Sequence, residues 1–234
     1  MSEINEHDGA LADAKEHISL LAREPLAALP GGFAAGRAEL HRIAEEVLKP
    51  KRILETGNEI ALSFTPGGYG TPAWKVGADS GLPGSARAEG AQIVVVEGES
   101  EERTPIEVNQ AVAAAVADWF ALGTVALAGL IERHPELDPE PIRLWPEHFD
   151  VATVLGDEAG GSRANFGASP GDEEHPEPYL YVGPWVEQPD GGIWDATAFH
   201  GAELGYAELL EADDQRTAAI DFYVRHLEAL AANR

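Results

Sequence analysis

The chain has 234 residues, 44% of them hydrophobic and 7% aromatic, which is ordinary for a folded globule and excludes wholesale disorder. Its net charge of −25, from 41 acidic against 16 basic residues, repels phosphate backbones and anionic lipid, so nucleic-acid and membrane partners are not expected. There is no Cys, which excludes disulfides, thiolate zinc, iron–sulfur clusters and thiol nucleophiles and fits a reducing, cytoplasmic compartment.

The opening MSEINEHDGALADAKEH is acidic and has no basic region followed by an apolar core, so it does not read as a signal peptide. Residues 9–23 and 33–48 read as helices. In the second, Ala38, Leu40, Ile43, Ala44, Val47 and Leu48 recur at spacings of three and four and form one apolar stripe. Leu29-Pro30-Gly31-Gly32 is the turn between them.

After Pro50 the pattern changes to strand, with Ile60, Leu62 and Phe64 alternating with smaller residues. TPGGYGTP (65–72) reads as a sharp turn, with Ala73–Val76 as the returning partner strand and the Gly-, Ser- and Ala-rich 77–90 as a mobile loop. Gln92–Glu97, with its Ile-Val-Val-Val run, reads as a central strand. Thr104-Pro105 then opens a long helix that ends near His134-Pro135. Within it, Ala111–Ile131 is long enough to span a bilayer, but Asp118 near its centre and its acidic flanks favour a buried core helix.

In the second half, Phe149–Leu155, Arg163–Gly167, Pro178–Val182 and a short Gly192–Trp194 read as strands, and 201–211 and 214–232 as helices. The expectation is an α+β protein, with antiparallel sheet and long packing helices. The elements suggest two pseudo-repeated meander-plus-helix units, or one continuous sheet with helices on one face. The chain divides into a helical segment 1–50, a first unit 51–135 and a second unit 136–234.

Aromatic and ionisable residues concentrate between Trp145 and Trp185, separated by tight turns, which is what a ligand cleft requires. WPEHFD is the best candidate for chemistry. Read as a strand, it puts His148 and Asp150 on one face, where they could reach one substrate proton, His148 as general acid/base and Asp150 as its orienting or charging partner. Tyr69, at the tip of the Gly-rich turn, Trp74, Trp145, Tyr181 and Trp185 are the expected ligand-binding walls. His200 is placed at a helix start. The cation-loop reading of ASPGDEEHPEP fails on ligand spacing. Helix-borne zinc has no HExxH, and serine catalysis no GxSxG.

The motifs TPGGYGTP, LWPEHFD, ASPGD and EPYLYVGPW resemble a family of uncharacterised proteins from high-GC Gram-positive bacteria, over about three quarters of the chain. The second half distantly resembles a broader domain of unknown function, in which a strand ending in Phe-Asp precedes a Ser-Pro-Gly turn and a Tyr-rich strand. Neither resemblance implies a mechanism.

The reading from residues is therefore a protein that binds, and could turn over, a small organic molecule in an aromatic-walled cleft. The cofactor is unknown. One alternative is a metal-dependent hydrolase or isomerase using His148, Asp150 and a further ligand among His175, His200, Glu203 and Asp172. Another is a non-catalytic interaction protein, a homo-oligomer held by the Ala-rich helix or a sheet edge.

Overall fold

The computed structural model describes residues 25–57, 61–77, 81–188 and 192–232. The helix expected at 9–23 lies outside them. The chain builds two antiparallel sheets around one long helix, the α+β architecture the patterning predicts.

Helix α1 (Phe33–Ile43) runs through a π-helical turn, Ala44–Leu48, into α2 (Lys49–Thr56). The chain does not turn to strand after Pro50. The turn widens just before the proline, and the ring, which has no N–H to donate, sits in the first turn of α2.

The first sheet has the order β1-β2-β4-β5-β6, with β3 also paired to β4. Its strands are β1 (Ser63–Thr65), β2 (Gly68–Gly70), β3 (Trp74–Lys75), β4 (Pro83–Glu89), β5 (Gln92–Glu97) and β6 (Ser100–Pro105). Two expectations fail here. Half of the segment 77–90, Pro83–Glu89, is not a loop but β4, the strand that joins β2, β3 and β5. The partner of β1 is β2, inside TPGGYGTP, and not the strand around Trp74. Gly68 and Gly70 make that pairing possible. A Cβ on Gly68 would sit 1.9 Å from the Ala88 carbonyl oxygen, and one on Gly70 would sit 2.5 Å from Arg87 Cβ.

The long helix α3 (Gln110–Arg133) starts five residues later than expected, because Thr104-Pro105 completes β6 instead. Asn109 caps it, accepting from the Ala111 N–H at 2.8 Å. It is long and apolar enough to cross a membrane, but 67% of its most apolar stretch is buried inside the protein. Core packing accounts for that composition.

The second sheet has the order β11-β10-β9-β8-β7. It comprises β7 (Arg143–Trp145), β8 (Asp150–Leu155), β9 (Ala164–Ser169), β10 (Tyr179–Pro184) and β11 (Ala202–Gly205), followed by α4 (Tyr206–Glu211) and α5 (Gln215–Ala232). The segment 201–211 thus divides into strand and helix, His200 precedes β11, and Gly192–Trp194 contributes no strand to either sheet. A bridge between Leu62 and Leu144, with N–H···O distances of 2.8 and 3.0 Å, stitches the two sheets together.

Alternation sorts the second sheet into two faces. Val151, Phe166, Ala168, Leu180 and Val182 are buried against α3 and α5. The approach of α3 is close, since a Cβ on Gly123 would lie 2.5 Å from Ala168 Cβ. Tyr223 of α5 reaches through to donate to the Gly167 carbonyl at 2.8 Å. The opposite face carries Trp145, Asp150, Ala152, Gly167, Tyr179 and Tyr181, and no helix covers it among the described residues.

Candidate cleft on the open face of the second sheet

This open face holds a cleft of about 530 Å³. The strands supply its floor and the segments flanking them its rim. Ala152 of β8 lines the floor, while Gly167, opposite it on β9, lies under the Tyr181 ring, which a Cβ there would meet at 2.4 Å. Trp145, Tyr179, Tyr181 and Phe199 stand around it. Asn165, Ser169 and Gly183 complete the polar and open parts of the wall.

The geometry turns on Phe149. Its φ of 53° lies in the left-handed region, which a phenylalanine rarely adopts. Residues 146–149 therefore form a turn and not the strand expected of WPEHFD, closed by the Phe149 N–H on the Trp145 carbonyl at 2.7 Å. The ring of Phe149 is fully buried, edge-on to Tyr69 at 5.1 Å and to Phe120 at 5.2 Å, with His41 stacked on it at 5.1 Å. The His41 Nε2–H donates to the Pro146 carbonyl at 2.9 Å, and Lys49 pairs with Glu147. Anchored in this way, the turn delivers both neighbours of Phe149 to the cleft, His148 exposed at the rim and Asp150 buried in the wall.

Asp150 is 4% exposed. Its Oδ2 accepts from the Tyr181 hydroxyl, and its Oδ1 is buried with no hydrogen-bond partner among the described residues. Burial pushes the carboxyl up to about 6, against which the Tyr181 hydrogen bond and nearby His148 act only in part. Burial and then the Asp150 charge raise the Tyr181 phenol well above its ordinary range. Among the described residues Asp150 bonds to Tyr181 and makes no hydrogen bond to His148, which acts on the carboxyl through its charge.

Tyr179 sits one step along the same strand face. Its hydroxyl donates to Asp172 Oδ2 at 3.3 Å, and burial followed by the Asp172 charge pushes the phenol up to about 12. Burial tends to raise Asp172, but the N–H groups of His175 and Glu174, both 2.7 Å from Oδ1, outweigh it and hold the carboxyl below the ordinary range. This loop is tied down from outside by Arg37 of α1, which donates to the Asp172 carbonyl oxygen at 2.9 Å. His175 faces Glu203 at 3.1 Å.

Of the seven residues singled out from the sequence, the fold brings together Trp145, His148, Asp150 and Tyr181. Tyr69 is instead a core residue, 1% exposed, whose hydroxyl donates to the Leu40 carbonyl under α1. Trp74 is buried on the first sheet, with Lys51 Nζ 5.6 Å from its ring centroid. Trp185 lies beyond the cleft, 49% exposed, with Arg163 over its ring at 5.2 Å. It reaches the wall through Asn165, whose Oδ1 accepts from Trp185 Nε1 at 3.1 Å. The sequence reading missed Asn165, Gly167 and Phe199. The first two are signalled by alternation in Asn165-Phe-Gly167-Ala-Ser169, whereas Phe199 carries no local signal.

Among the described residues no group of three or more His, Asp or Glu side chains converges closely enough to hold a metal ion. His148, Asp150 and Asp172 line the cleft, and His175 lies beside it between Asp172 at 3.7 Å and Glu203 at 3.1 Å. Comparison with protein-family models, with curated proteins and with solved structures finds no match for this chain.

Proposed function

We propose that the protein binds a small organic molecule on the open face of its second sheet. The observation that carries this reading is the convergence of Trp145, Tyr179, Tyr181 and Phe199 around Ala152 in a cleft of about 530 Å³. That volume lies within the range of about 300–1,000 Å³ typical of small-molecule sites. The small Ala152 side chain leaves room above β8, and the aromatic rings supply contact area at low entropic cost. His148 at the rim can pass a proton between water and a bound molecule, which makes it the residue to test for turnover.

The same reading keeps the family resemblance and the cytoplasmic setting as inferences, supported by the shared motifs and by an acidic, Cys-free chain. It takes the partner to be a small molecule and not nucleic acid or a membrane, on the sign of the charge.

The experiment is a thermal-shift screen of a metabolite library on the wild type and on Gly183→Leu. Gly183 lines the cleft and has only Asn165 Cβ, at 4.0 Å, within reach of an added Cβ, so a leucine there fills the space without disturbing the strand. Hits that vanish in Gly183→Leu support the reading. Hits that survive it unchanged place binding elsewhere and overturn it.

A further inference from the structure

We infer that the ligand of this cleft is a primary organic ammonium ion with an apolar, ring-sized body, its N–H groups held by Asp150 Oδ1. The inference rests on the reading of the cleft as a small-molecule site.

Three observations support it. Asp150 Oδ1 is a buried carboxylate oxygen with no partner among the described residues, in a side chain that lines the cleft. A buried acceptor left open is costly, and its most economical complement is a donor brought by the ligand. Tyr181 occupies only the other oxygen, so one lone-pair direction remains available.

The lining charges give the sign. Its carboxylates are Glu140, Asp150 and Asp172, and no Lys or Arg lines it among the described residues. Glu140 is neutralised by Arg163 at 2.9 Å, while Asp172 spends its Oδ1 on two backbone N–H groups. That leaves Asp150 as the lining carboxylate with a buried oxygen that has no partner among the described residues. His148 is the basic group on the rim, exposed to solvent and away from the buried Asp150 oxygen. The whole chain, at −25, concentrates cations at such a cleft and repels phosphates and carboxylates.

The aromatic wall fits the same ligand. Tyr179 and Tyr181 have ring centroids 6.2 Å apart and tilted by 50°, and Phe199 meets Tyr181 edge-on at 6.2 Å. Ring faces set around a carboxylate favour a cation bearing apolar carbon over a neutral molecule of the same shape. Because Oδ1 needs N–H donors, a primary ammonium suits it better than a quaternary one.

The test uses three probes of matched shape by calorimetry at pH 7.5, phenethylamine (protonated), 2-phenylethanol (neutral) and phenylacetate (anionic). The expected result is that the amine binds at least about tenfold tighter than the alcohol, as one charge-assisted hydrogen bond affords. Phenylacetate should not bind. Asp150→Asn should bring the amine down to the level of the alcohol, and Gly183→Leu should remove both. Equal or tighter binding of the alcohol or of phenylacetate overturns the ammonium ligand and leaves the cleft reading standing. Absence of all three, when the metabolite screen still finds hits lost in Gly183→Leu, has the same meaning. Absence of both overturns the cleft as well. The probe series reads on the wild type, so it holds even if a variant fails to fold.

Discussion

Tyr181 of β10 lies across Gly167 of β9 to donate its hydroxyl to Asp150 on β8, so one side chain spans three strands of the second sheet. The contact exists because β9 carries no side chain at the crossing point. It also leaves a buried carboxylate, in a side chain that lines the cleft, with one oxygen satisfied and the other without a partner among the described residues.

Gly167→Ala should break this relationship. The added Cβ would lie 2.4–2.5 Å from Tyr181 Cζ, Cε1 and Oη, so the ring must leave its position. The expected cost is about 1–3 kcal/mol by overpacking, read as a lowered urea midpoint. Gly183→Ala, with nothing nearer than 4.0 Å, is the control and should shift stability by less than about 0.5 kcal/mol. Equal effects at the two glycines would exclude the crossing as the cause.

Asp150→Asn should change stability in a pH-dependent way. Asp150 titrates at about 6 in the fold against 3.8 for a free side chain. The folded state therefore holds its proton more tightly than the unfolded chain. Its contribution to stability is fully present below the unfolded value and is lost as pH rises through about 6, a total of about 3 kcal/mol. The amide cannot ionise and keeps an acceptor for Tyr181. The variant should thus be more stable than the wild type by about 1–3 kcal/mol at pH 8, and that advantage should disappear near pH 4. Denaturant unfolding of both proteins at the two pH values checks this. Taking the difference cancels carboxylates such as Asp172, whose lowered value acts in the opposite sense. A wild type that keeps a destabilising carboxylate here has the signature of a residue retained for binding.

Tyr69→Phe and Trp74→Phe should affect folding and spare binding. The Tyr69 hydroxyl is buried on the Leu40 carbonyl, and its loss should cost about 1 kcal/mol. Trp74 packs over Gly84, where a Cβ would come within 2.3 Å of its Nε1. Neither residue lines the cleft. The affinity of any cleft ligand, measured by calorimetry, should stay within about twofold of the wild type in both variants.

Asn109→Ala removes the cap of α3 and should cost about 1 kcal/mol, read as a lowered melting temperature. The same measurement on Thr104→Ala should show almost no change, because that residue belongs to exposed strand β6. The reverse ranking would put the helix start where sequence pattern alone places it.

Much of the fold could be read from local pattern. The apolar stripe of α1, the Val-rich β5, the buried length of α3 and the alternation in β8 and β10 are properties of short windows, because burial on one face imposes a period of 3.6 or 2. The same windows marked Trp145, His148, Asp150 and Tyr181 as candidates, and their spacing was enough to suggest a cleft.

What the tertiary structure decided are matters of distant contact. Residues 83–89 form a strand because β2, β3 and β5 supply their hydrogen bonds, whatever their own weak propensity. Thr104-Pro105 ends a strand because β5 pairs with it, although Pro also suits a helix start. Tyr69 and Trp74 look like Tyr181 and Trp145 in sequence, yet α1 and α2 close over the first pair while the open face of the second sheet leaves the other pair free. The left-handed Phe149 that aims His148 and Asp150 into the cleft exists only because Tyr69, Phe120 and His41 hold its ring in the core. Sequence by itself determined which residues this protein has to work with. Packing between segments far apart in the chain decided which of them face a ligand.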